Sequence, residues 1–199
     1  MEKGKEKSSP SYKKMFLICA MASFVEGLYY PFLIAFLFEI GGTPLTGLGL
    51  GIITIAESFG TYFAGKLSDE YGRKPFLLIS FIISVFVFLA YPLIGMIEID
   101  KIFIYSGLIV LFIIDGITDG IWGTVEAVYL GDITHIAHRG KMLGSYWGVS
   151  GIIFGIAMIG AGFLGMYINF LTVAIIAAII YLMAISLLFQ IKDSIKTQE

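Results

Sequence analysis

The chain has 199 residues, 58% of them hydrophobic and 14% charged, with 24 glycines, one cysteine and a formal net charge of −2. Soluble domains run nearer 45–50% apolar and about 25% charged, and at a mean hydropathy of +0.91 a globule of this size cannot hide its apolar surface. A soluble globule, a disordered chain, a disulfide scaffold and a nucleic-acid binder are thereby set aside. What remains is an all-α integral membrane protein.

A helix needs about 20 apolar residues to cross the roughly 30 Å hydrocarbon core. Six stretches qualify: 15–38, 46–67, 75–97, 102–131, 141–165 and 168–191. Together they make a transmembrane domain over 15–191, with a basic tail at 1–14 and a short polar tail at 192–199, both expected to be mobile. Turn chemistry or charge bounds most spans: Gly41-Gly42-Thr43-Pro44, Asp69 to Pro75, Glu98 to Lys101 and Asp132 to Lys141. A short turn near Gly165 to Asn169 separates the last two. The first span follows a basic segment, but it is too long for a signal-peptide core and has no small-residue cleavage site, so it reads as a retained helix.

Orientation follows from lysine and arginine in alternate loops. One side holds Lys3, Lys5, Lys7, Lys13, Lys14, Lys66, Arg73, Lys74, Arg139, Lys141, Lys192 and Lys196; the other holds Lys101. The count places both termini in the cytoplasm of a multi-pass protein of the cell membrane. The loops are too short to fold as domains, so function resides within the bilayer.

Along the first span, Cys19 reads as a small apolar packing residue. Glu26 lies 12 residues after Lys14, roughly 18 Å along a helix and near the midplane. Glu57 is central in the second span, with Thr54 and Thr61 on its face, and is as readily a buried hydrogen-bonded acid as a cavity acid. In the fourth span Asp115, Asp119 and Glu126 fall within about 40° of one another at 100° per residue, and Trp122 shares their stripe. Gly116, Gly120 and Gly123 form a separate strip suited to close helix packing. No Lys or Arg lies deep in any span, so these acids must be protonated, hydrogen-bonded, exposed to a watery cavity, bound to a cation or paired with another subunit. Glu126, nearest the cytoplasm, is the most structural of the three in the fourth span. Asp115 lies 14 residues after Lys101, roughly 21 Å in from the opposite side. Both Glu26 and Asp115 precede a glycine, the pattern an inverted three-plus-three repeat leaves. Tyr29, Tyr30 and Trp122 are candidate substrate contacts through stacking and cation–π attraction, or packing aromatics. His135 and His138 have no cysteine or further histidine nearby, so no metal site is expected. No cofactor is implied, and no nucleophile–base pair or phosphate cradle points to an enzyme.

The string Gly65-Lys66-Leu67-Ser68-Asp69-Glu70-Tyr71-Gly72-Arg73-Lys74-Pro75 combines a reversal at Gly72, cytoplasmic charge at Arg73 and Lys74, and a helix-starting proline. It resembles the loop signature of the major facilitator superfamily between spans two and three, with Glu70 where a base is usual. Asp132, Arg139-Gly140 and Gly144 resemble that family's loop between helices four and five. The glycine-rich fifth helix, with Gly144, Gly148, Gly151, Gly155, Gly160 and Gly162, is similar to the family's fifth, whose small faces let helices approach. Phe112 stands where many members carry an arginine, and Ile156 where antiporters carry a proline.

The resemblance implies a major-facilitator-type half bundle: six transmembrane helices as a 3+3 inverted repeat, with helices one and four lining a central cavity. Asp69 and Arg73 would belong to a cytoplasmic gate. The expected function is secondary transport of a small solute by alternating access, coupled to protons through Glu26, Asp115, Asp119 and Glu57. The acid-rich cavity leans toward a cationic or amphipathic substrate. Partners are the lipid bilayer and a second six-helix half, as a homodimer or a separate chain. The alternatives are a scaffold or sensing subunit of the same fold, and an inactive truncated half.

Overall fold

The computed structural model describes residues 10–97 and 100–194. Lys3, Lys5, Lys7, Glu98 and Lys196 lie outside the described residues. The described elements are helical: α1 Pro10–Tyr71, α2 Arg73–Gly95, α3 Lys101–Ile133, a 3-10 turn Ile136–His138, α4 Arg139–Leu164 and α5 Phe170–Phe189. All five α-helices are long and apolar enough to cross a membrane.

The first of them is broken. Gly41 (φ −144°, ψ 16°) and Gly42 (φ 64°, ψ −163°) leave helical geometry, so α1 consists of two helical arms, 10–40 and 43–71. Gly42 supplies the positive φ that L residues avoid, and Pro44 follows where its missing N–H costs a new helix nothing. Each arm is about 45 Å long at 1.5 Å per residue. The charged stretch from Asp69 to Pro75 is expected to be a loop; instead helix runs to Tyr71 and resumes at Arg73. The whole reversal falls on Gly72, at φ +97°. Helix also begins at Pro10, so 10–14 of the expected basic tail is structured.

Side-chain contacts give the directions. Tyr12 meets Met142 and Cys19 meets Ser150, so the first arm and α4 run parallel. Gly49 faces Phe112, Gly116 faces Ile53 and Gly120 faces Glu57, so the second arm and α3 also run parallel. Arg73 meets Asp132 and Tyr91 meets Asp115, which sets α2 antiparallel to α3. Lys14 meets Gln190 while Phe36 packs tilted against Phe170, which sets the first arm antiparallel to α5. Residues 12–14, 68–74, 132–142 and 189–194 consequently gather at one end, and Phe36, Gly95, Ile94, Gly107 and Phe170 at the other.

Small residues bring backbones together in two places. A Cβ at Gly60, Gly116 or Gly120 would overlap a backbone carbonyl of the facing helix, and one at Gly27 would overlap that of Phe154. The close approach expected of the α4 glycines is absent among the described contacts: a Cβ at Gly144, Gly148, Gly151, Gly155, Gly160 or Gly162 would meet nothing within 4 Å, and Gly123 is likewise open. Gly144, Gly148, Gly151 and Gly162 are exposed along α4, and first-arm Gly27 supplies the close approach to that helix at Phe154 and Ala157.

Candidate functional site

Two polar regions and a buried knot occupy the bundle. In the middle, Glu26 lies on the first arm, Glu57 on the second, and Asp115 and Asp119 on α3. Gly116 packs on the Ile53 carbonyl and Gly120 on the Glu57 carbonyl, which brings the second-arm and α3 acids to one level of the bundle, and Tyr30 lies one turn beyond Glu26. Asp115 is buried and its Oδ2 accepts the Tyr91 hydroxyl at 3.0 Å. Asp119, Glu26 and Tyr30 are half-buried, whereas Glu57 is exposed. Among the described residues both ion pairs centre on Arg73, so no base neutralises these acids. Nor do any three His, Cys, Asp or Glu of the described residues form a metal-binding group.

The aromatic residues divide. Tyr29 is buried, with ring centroids 4.6 Å from Phe88 and 5.0 Å from Phe170, and its hydroxyl donates to the Phe88 carbonyl at 3.0 Å. Trp122 packs edge-on against Phe81 at 4.7 Å. Tyr30 carries neither constraint and borders the acids.

Glu126 stands apart from the exposed part of the acid stripe. It is buried and accepts the Tyr146 hydroxyl at 2.6 Å, while Cys19 Sγ lies 2.9 Å from Ser150 Oγ in the same region. This knot ties the first arm, α3 and α4 together. Neither Tyr91 nor Tyr146 stands out in the sequence, because a tyrosine inside an apolar run looks like core until the partner of its hydroxyl is known.

At the other polar region, Arg73 is buried despite its charge. Its guanidinium pairs with Asp69, donates to Ser68 Oγ at 2.8 Å, and reaches Asp132 Oδ2 at 3.4 Å. Its backbone N–H donates to Asp193 Oδ1 at 3.1 Å, and Ser194 Oγ donates to Asp132 Oδ2 at 2.8 Å. Lys74 Nζ caps the end of α5 by donating to the Phe189 and Ile191 carbonyls at 2.7 and 2.9 Å, a favourable place for a cation. Arg139 donates to the Gly131 carbonyl at 2.6 Å, while Gly140 is exposed and Gly65 faces Thr124. Residues 192–194, expected to be a mobile tail, are therefore held against the Gly72 reversal and Asp132, where a Cβ on Gly72 would strike the Asp193 carboxylate.

Long apolar helices around base-free acids define a multi-pass membrane protein with a polar interior. The chain belongs to the major facilitator superfamily, whose family model matches residues 15–198. No curated protein matches it. Among solved structures, one described as the major facilitator superfamily proton:xylose symporter XylE bound to 6-bromo-6-deoxy-D-glucose aligns with a TM-score of 0.75 at 16% identity, over 94% of this chain and 46% of that one. That likeness is one of fold, and the chain spans less than half the length of that symporter.

Proposed function

We propose that the chain is a six-helix half of a secondary transporter, moving a small solute by alternating access with a second six-helix unit. Two observations support six crossings as a 3+3 inverted repeat: the break at Gly41–Gly42, and the gathering of alternate junctions at opposite ends. The lysine- and arginine-rich end faces the cytoplasm in this reading. Family membership supports transport as the class of activity.

The observation that carries the reading is the mid-bundle set Glu26, Glu57, Asp115 and Asp119, of which Asp115 is buried on the Tyr91 hydroxyl and none is ion-paired among the described residues. Buried acids in a membrane are costly and mark ion or substrate pathways. A carboxylate that is alternately watered and desolvated takes up and releases a proton as access changes. The same acids disfavour an anionic substrate and suit a cationic or amphipathic one, with Tyr30 beside them. Glu57 is exposed, and a second unit covering the second arm would complete the cavity there.

The test is substrate flux in reconstituted vesicles with and without an imposed pH gradient, screening organic cations first. Glu26→Gln and Asp115→Asn are expected to fold, to abolish gradient-driven accumulation and to spare exchange. Unchanged pH-driven accumulation in the triple Glu26→Gln, Asp115→Asn, Asp119→Asn variant overturns the assignment.

A further inference from the structure

On the back of the first arm the structure holds a groove of about 600 Å³ against α5. Leu17, Met21 and Phe24 form one wall and Ile180, Met183 and Leu187 the other, with Ala20 and Ser186 between them. The walls are helical stripes, spaced three and four residues apart. By the same periodicity Glu26 lies roughly 180° around the arm from Leu17. The groove therefore turns away from the acids, toward the lipid.

Its cytoplasmic mouth is charged. Lys14 lies one turn before Leu17 and Gln190 one turn after Leu187, and Lys14 Nζ donates to Gln190 Oε1 at 3.1 Å. Among the described residues that neutral amide is the partner of Lys14, and no carboxylate pairs with it. Lys13 is exposed beside it. From Lys14 to Phe24 is ten residues, about 15 Å of helix, which is the depth of one leaflet of a roughly 30 Å core.

We propose that this groove is a binding site for an anionic phospholipid of the cytoplasmic leaflet. Its phosphate sits on Lys14, and one acyl chain lies between Met21 and Met183. The charge selects the occupant: a basic mouth at leaflet depth attracts an anionic headgroup, while the nearly all-apolar walls offer a chain the dispersion contacts that a bundle surface lacks. The lysine stem is long enough to lie along the groove while its ammonium reaches the headgroup plane. The site is independent of whether the chain transports.

The experiment uses the full chain in vesicles of equal parts phosphatidylglycerol and phosphatidylcholine. Either lipid carries a photoreactive acyl chain, and adducts are mapped by mass spectrometry. Phosphatidylglycerol adducts are expected at Met21 and Met183 over Met96 and Met158, and in excess over phosphatidylcholine adducts. Lys14→Gln is expected to lower the phosphatidylglycerol adducts about five-fold, from about 1 kcal/mol per lysine at an anionic surface, and Lys14→Arg to retain them. Lys101→Gln, at the opposite end, is expected to change nothing. Equal labelling by the two lipids, labelling spread evenly over the exposed methionines, insensitivity to Lys14→Gln, or adducts replaced by crosslinks between two copies of the chain each overturn the proposal.

Discussion

Alanine at Gly120 places a methyl group on the Glu57 carbonyl oxygen and against the Thr61 amide nitrogen. Both are backbone atoms inside a helix, so neither can swing aside as a side chain would. The second arm and α3 must separate or bend, and overpacking of this kind typically costs 1–3 kcal/mol. Taking the upper end for a backbone clash, and returning about 1 kcal/mol for alanine's better helix propensity, the net loss is about 2 kcal/mol. For a chain of this size each kcal/mol moves Tm by roughly 2–4 °C, so Gly120→Ala is expected to lower it by about 4–8 °C. Gly148 and Gly151 provide the opposite case, because a Cβ there meets nothing within 4 Å. Alanine at either is expected to raise Tm by up to about 4 °C, through propensity alone. Thermal unfolding of the three variants in one detergent, followed by intrinsic fluorescence, reads the contrast directly. A neutral Gly120→Ala, or a Gly148→Ala as damaging as Gly120→Ala, refutes the packing argument.

Tyr91→Phe removes the hydroxyl that donates to buried Asp115, and a loss of about 1–3 kcal/mol is expected, measured as Tm with Tyr62→Phe, an exposed tyrosine, as the neutral control. Arg73→Ala strips Asp69, Ser68 and Asp132 of a shared partner. Since Asp69 keeps most of its exposure, the cost is expected below that of a fully buried pair, about 1–3 kcal/mol, while exposed Lys66→Gln is expected to stay within about 0.5 kcal/mol. Single cysteines at positions 70 and 101 in a Cys19→Ser background are expected to react with a membrane-impermeant maleimide from opposite sides of the membrane. Labelling of position 70 from outside intact cells contradicts the orientation.

Residues that act through backbone geometry were the readable ones. Gly41-Gly42-Thr43-Pro44 announces a break because glycine and proline act locally, and the break lies there. Gly72 marks a reversal for the same reason, although the flanking charges make it look longer than the single residue it occupies. The arginine hub was half legible: the ordered string from Gly65 to Pro75 singles out Asp69 and Arg73, and the charged stretch Asp132 to Lys141 supplies Asp132. Asp193 and Ser194 were not legible, since two polar residues after the last span have no periodicity, and their role arises only when α5 returns to the Gly72 reversal. The α4 glycines show a different limit. A small-residue run states that close approach is permitted, and whether a neighbour of the same chain uses it depends on tertiary arrangement.

The hub at Arg73 also sets an order of events during synthesis. Its backbone partner Asp193 lies 120 residues downstream, and ribosomes add roughly 5–20 residues per second. For roughly 6 to 24 s after Arg73 is made, the groups that will cap its N–H do not exist. The first two arms and α2 must hold their place in the bilayer over that interval by apolar packing and insertion alone. Closure of this end waits for α5 and the residues that follow it, which supply the last partners of the Gly72 reversal.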